Sequence, residues 1–142
     1  MRILALDHGT VRVGVAVSDP LKMIAQPLEF IPAEPFPECL NRIKELVRTN
    51  EVELIIIGMP RNMDGSYGEA AARVREFVAV LKDTVAVPLK TWDERLTSVL
   101  AERFLREGNV KGRDRKAKVD KTAAALLLQS YLDSLTPASF EG

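Results

Sequence analysis

The stretch Val52 to Gly58, VELIIIG, is a nearly continuous apolar run with no alternation of polar and apolar residues. A strand wetted on one face alternates, so a run of this kind needs cover on both faces, as in a sheet with helices on either side. Helical patterns flank it. AEPFPE opens a segment in which Leu40, Ile43, Leu46 and Val47 recur at helical spacing, and a second segment from about Gly68 to Lys82 brings Ala70, Val74, Phe77, Val78 and Leu81 to one side. Strand, helix and strand in succession predict right-handed crossovers between parallel strands. At 142 residues the chain has room for one such domain and its core.

Around this centre the remaining elements are legible. Ile3 to Leu6 reads as a short buried strand, and Val11, Val13, Val15 and Val17 alternate with Arg12, Gly14, Ala16 and Ser18 in a second. DHGT between them has the length of a hairpin connection. A third strand over Gln26 to Ile31 contains Pro27, which cannot donate to a ladder and belongs on an edge. Val85 to Trp92 predicts a fifth strand. A helix follows DERLTS, with Leu100 and Phe104 inward and Gly108 as its stop. Gly108 to Lys118, GNVKGRDRKAK, is a basic loop without periodicity, and Val119 to Leu135 is a last helix apolar on more than one face. The order βββ-α-β-α-β-α-α predicts a mixed five-stranded α/β sheet with strands 1, 4 and 5 parallel and helices on its flanks. Residues 1–135 form a single domain in this reading, and 136–142 a loose tail.

Several classes of function are disfavoured by composition. Twenty basic residues balance twenty acidic ones, so attraction to nucleic acid has to come from local clusters. Cys39 is the only cysteine and His8 the only histidine, which leaves no internal disulfide, no Cys/His zinc site and no triad needing a second histidine. Cys39 fits a packing role in the first helix, and His8 is expected to point into solvent from its turn. The N-terminal apolar run is far too short for a signal peptide, and no later run approaches the roughly 20 residues of a membrane span. The expectation is a cytoplasmic protein, monomeric or homodimeric, that does not engage membranes.

In open α/β sheets the ligand crevice lies beyond the carboxyl ends of the parallel strands. Asp7 ends the first strand, GMPRNMDGSYG follows the fourth, and Asp93 and Glu94 end the fifth. If Val119 to Leu135 is helical, Asp120 shares a face with Ala123, Ala124, Leu127 and Tyr131 and adds a carboxylate from that inward stripe. Clustered carboxylates repel unless a cation lies between them, and oxygen-only ligation suits Mg²⁺ or Mn²⁺. Taken singly, Asp7 could be a turn former and Asp120 a helix N-cap. The loop after the fourth strand offers backbone amides, Arg61 and Asn62 to a phosphate. Arg12 and Arg95 lie near the same rim, and Lys111, Arg113, Arg115, Lys116, Lys118 and Lys121 lead into the last helix, a charge pattern suited to a phosphodiester backbone. Thr97 and Ser98 can add hydroxyl or amide contacts, or cap the helix they open.

Four motifs, DHGTVRVGVAVSD, GMPRNMDGS, DERLTS and DKTAAALLLQSYL, stand in an order and context that resembles the YqgF family of pre-16S rRNA nucleases, also described as Holliday-junction-resolvase-like. The similarity runs from Arg2 to about Leu135. It implies an RNase H-like fold and a catalytic, metal-binding set of Asp7, the acidic position of DER and Asp120. Glu94 is favoured over Asp93 within DER. Unlike RNase H proper, the fourth strand ends in Gly58 rather than an acid. The function expected is metal-dependent cleavage of precursor 16S ribosomal RNA at its 5′ end. Resolution of branched DNA, a non-catalytic RNA-binding or assembly role, and ATP binding by a single actin-like lobe, suggested by LDHGT and its hairpin, are the alternatives.

Overall fold

Leucines in β1 and alternating valines in β2 build the N-terminal antiparallel strands: β1 covers Arg2–His8, β2 Arg12–Ser18 and β3 Ala25–Pro32. The computed structural model describes residues 1–62, 64–96 and 122–135. Helix α1, Phe36–Thr49, precedes β4, Val52–Met59, and α2, Glu69–Thr84, precedes β5, Leu89–Asp93. Helix α3, Ala123–Ser134, is the last described element. The strands form one five-stranded sheet in the order β3-β2-β1-β4-β5. β1 runs antiparallel to β2 and parallel to β4, and β4 runs parallel to β5, as the chain order predicts. Pro27 lies on the β3 edge, where its missing N–H leaves no gap in an inner ladder.

The two-residue period of the strands divides their side chains between two faces. Leu4, Leu6, Val13, Val15, Ile55 and Ile57 pack with Cys39, Ile43 and Leu46 of α1 and Val74, Phe77 and Leu81 of α2. On the other face Ile3, Ala5, Ala16 and Ile56 meet Ala124, Ala125, Leu127, Leu128 and Tyr131 of α3. Alanines on both sides of that contact let α3 lie close to the sheet. Ile55, Ile56 and Ile57 are each 0% exposed, the outcome demanded by the run that offers no polar face to water. Burial of each such side chain contributes about 1.5–3 kcal/mol. Gln129 ties α3 to the segment entering β3: its Oε1 accepts from Ala25 N at 2.9 Å and its Nε2 donates to Met23 O at 3.0 Å.

Several elements depart from expectation; in the hairpin, Val11 is exposed and precedes β2, which begins at Arg12. In α2 the buried alanine is Ala71, three and seven residues before Val74 and Val78, while Ala70 in the first turn is exposed. β5 begins at Leu89 rather than Val85, because Pro88 has no N–H to donate; its carbonyl accepts from Ile55 N at 3.0 Å and the ladder starts there. Val85 and Val87 still pack on the core. α3 begins at Ala123 rather than Val119: Thr122 is extended, with ψ 149, and its Oγ1 accepts from Ala125 N at 3.2 Å as an N-cap. Asp120 itself lies outside the described residues, as do Leu100, Phe104, the basic loop from Gly108 to Lys118 and the tail 136–142.

Candidate active site

Asp7 sits in the last turn of pleat of β1, opposite Gly14 of β2, and faces the α3 side of the sheet with Ala5. Gly58 lies on the same face of β4, two residues beyond Ile56, and Glu94 follows the end of β5. A Cβ at Gly58 would stand 2.6 Å from Glu94 Oε1 and 3.0 Å from its Cγ. The glycine thus leaves open the space through which the Glu94 side chain crosses β4 towards Asp7, with which it is hydrogen-bonded. Burial, then the Asp7 charge and that hydrogen bond, push the Glu94 carboxyl up to about 7, so that below this pH its O–H donates to the Asp7 carboxylate. Where an acid on the fourth strand was missing from the sequence, an acid from beyond the fifth occupies the vacant volume.

Asp93 points elsewhere. Arg95 holds it from Nε and Nη2, at 2.8 Å for the latter, and the Arg95 backbone N–H donates to Oδ1 at 2.9 Å. Arg61 Nη1 approaches its Oδ2 at 3.5 Å. These contacts, the Arg95 side-chain hydrogen bond foremost, hold the Asp93 carboxyl below its usual range. Adjacent acids of DER thus take separate duties: Asp93 is locked in an arginine clamp while Glu94 turns over the sheet.

The same arginine organises the loop after β4. Arg61 donates from Nε and Nη2 to Gly65 O at 3.0 and 2.5 Å and lies 4.7 Å from the Tyr67 ring. Asn62 donates from its backbone N to Ser66 O at 2.8 Å and from Nδ2 to Ser66 Oγ at 2.9 Å. Arg61, Asn62 and Arg95 are therefore engaged within the protein, shaping the rim beside the acid pair.

The sequence matches, over residues 1–134, the family described as RuvX: Holliday junction resolvase. The chain belongs to the RuvX family. It is 49% identical over 133 residues, 94% of this chain and 95% of the relative, to the protein of Halothermothrix orenii named "Putative pre-16S rRNA nuclease". A Desulforamulus reducens protein of the same name is 44% identical over 134 residues, covering 94% of this chain and 98% of that one. Among solved structures, RuvC of T. thermophilus in complex with a Holliday junction substrate superposes with a TM-score of 0.59 at 15% identity, covering 96% of each chain. That likeness is one of fold, and it agrees with the RNase H-like topology expected from the motifs.

In this RuvX chain the structure brings together Asp7 and Glu94 from the expected acidic set; Asp120 lies outside the described residues. Among the described residues no group of three or more His, Cys, Asp or Glu side chains assembles. The donor set fits a hard divalent cation: two carboxylates, held against each other at a half-buried rim, give oxygen ligands and a negative charge that a cation would offset, and Mg²⁺ usually takes one or two carboxylates plus water and phosphate. Arg12 is exposed at the rim with its guanidinium 4.0 Å over the Phe30 ring. Thr97, Lys111, Arg113, Arg115 and Lys116 lie outside the described residues.

His8 corrects an expectation. Its side chain follows Leu4 and Leu6 onto the opposite face, half-buried with its ring 4.7 Å from Phe77, instead of entering solvent. Burial, then the Arg73 charge, lowers its pKa. The period-2 pattern of β1 would have revealed this had the strand been extended through His8. Gly58 was legible as a missing acid, but its role as open space needed the register of β4 against β5.

Proposed function

We propose that this chain is a metal-dependent nuclease hydrolysing phosphodiester bonds, and that its substrate is the 5′ region of precursor 16S ribosomal RNA in the cytoplasm. The observation that carries the reading is the Asp7–Glu94 pair, two carboxylates held together over Gly58 at the end of parallel strands. The names of the relatives and the description of the family support nuclease chemistry. Asp7 and Glu94, joined by Asp120, would hold Mg²⁺ or Mn²⁺. Such a cation, when bound, favours ionisation of water and offsets charge on the leaving oxygen.

The chain's own residues supply the geometry. Gly58 keeps the path of Glu94 clear, and the Arg95–Asp93–Arg61 clamp fixes the end of β5 from which Glu94 projects. Arg12, Arg61, Asn62 and Arg95 would position phosphates near the pair, and Thr97, Lys111, Arg113, Arg115 and Lys116, outside the described residues, would add contacts and positive charge for the phosphodiester backbone.

Wild type and Asp7→Asn, incubated with precursor 16S RNA and with a synthetic four-way DNA junction, each with and without Mn²⁺, test the reading. Wild type should cut the RNA only with the cation, and Asp7→Asn should be folded and inactive. Undiminished cleavage by Asp7→Asn removes the site. Cleavage of the junction alone transfers the substrate to branched DNA.

A further inference from the structure

A large aromatic ring stands exposed on the same face as the acid pair, two strands away. Register places Phe30 of β3 opposite Gly14 of β2, and Gly14 opposite Asp7 of β1, so the three form one row across the sheet. With strands about 4.8 Å apart, Phe30 lies roughly 10 Å from Asp7 along that row. Gly14 contributes no side chain between them. A Cβ there would meet Phe30 Cε1 at 3.4 Å, Ala124 Cβ at 3.6 Å and Asp7 Cβ at 3.7 Å, so the ring edge and the acid stem border one notch.

The ring is 49% exposed, and the Arg12 guanidinium lies over one of its faces, 4.0 Å from the centroid. Beside it a cleft of about 280 Å³ is lined by Gly14, Leu28, Glu29, Phe30, Thr122 and Ala124 among others, with the Glu29 carboxylate paired to Arg42 Nη2 at 2.6 Å. That volume falls just under the about 300–1,000 Å³ of pockets that enclose whole small ligands. It suits one flat ring entering from solvent. A planar aromatic beside a cation is the pairing that holds bases of single-stranded nucleic acid, because every base has a π-face and every linkage a negative charge.

Resting on the nuclease reading for the position of the scissile phosphate, we propose that Phe30, flanked by Arg12, is a stacking platform for one unpaired RNA base adjacent to the phosphate held at Asp7 and Glu94. The base stacks on the ring face opposite Arg12, which orients the strand across the Gly14 notch, and Arg12 takes the neighbouring phosphate. Phe30 is a positioning residue, and the platform selects unpaired over paired strands without reading sequence.

The test uses the full chain in EDTA with a short single-stranded RNA carrying 2-aminopurine, whose fluorescence falls when it stacks. Wild type and Phe30→Trp should quench the probe. Phe30→Leu, which keeps apolar packing but not the flat face, should lose the quench and bind about tenfold more weakly. A fully paired RNA duplex should bind wild type and Phe30→Leu alike. Quenching and affinity of Phe30→Leu equal to wild type, or an equal loss on the duplex, would overturn the platform. Asp7→Asn separates the two readings: in EDTA it should quench as wild type does, and with Mn²⁺ it should fail to cleave. Cleavage by wild type with an unaffected Phe30→Leu removes the platform alone. Quenching in EDTA by a wild type that cleaves nothing when Mn²⁺ replaces EDTA removes the nuclease reading alone.

Discussion

Glu94 holds its proton up to about pH 7, against an ordinary value of 4.5, because burial and then the Asp7 charge oppose its ionisation. A folded-state pKa raised in this way contributes stability that is full below about 4.5 and lost as pH rises through about 7. In EDTA the wild type should therefore lose stability across that window, on the order of 1 kcal/mol once solvent screening at a half-exposed rim is allowed for. Glu94→Gln should flatten that slope, and Mg²⁺ at pH 8 should raise the Tm of wild type but not of the variant. Thermal melts across pH, with and without Mg²⁺, measure both; a wild-type curve parallel to that of Glu94→Gln would refute the coupling. The sequence narrowed this acid to two adjacent residues and favoured Glu94, with little in the local pattern to separate it from Asp93. Neighbours at a strand end face opposite ways, and which one faces Asp7 depends on the β4–β5 register and on two arginines, Arg61 and Arg95, converging from separate segments.

At the level of elements, β4 acts on the site through what it lacks. Gly58→Ala should leave the sheet intact but put a methyl group 2.6 Å from Glu94 Oε1, displacing the carboxylate from Asp7. A misplacement of about 1 Å can cost about 10²-fold in rate, so cleavage should fall by about that factor with the far-ultraviolet spectrum unchanged. Wild-type rates from a folded Gly58→Ala would show that Glu94 does not depend on that space. Strands and helices with one strong pattern were legible to within a few residues, as β4 and α1 illustrate. Boundaries failed where two chemistries compete: DKT offers both Asp120 and Thr122 as caps, and Val85 and Val87 alternate like a strand that Pro88 then delays.

Across the whole molecule, two faces of one sheet are closed by different helices, and the α3 face depends on a polar tie as well as on apolar contact. Gln129 is 8% exposed and serves both Ala25 N and Met23 O. Gln129→Leu keeps the volume but strands these groups, and should lower stability by about 1–3 kcal/mol. Urea denaturation checks it, and an unchanged midpoint would mean that water replaces the side chain. The topology of the whole was readable because parallel strands joined by helices allow one handedness. Long-range ties such as Gln129 to β3, separated by about a hundred positions, leave no trace in local periodicity. The opposite-face placement of His8 was lost for a smaller reason, a strand ended two residues early.

The void over Gly58 also sets a length. A carboxylate that must cross the width of a neighbouring strand to find its partner needs every methylene it has, and aspartate at position 94 would stop about 1.5 Å short. An empty position in one strand thereby dictates the size of the side chain at position 94, and the two residues are coupled: filling the first or shortening the second breaks the same contact.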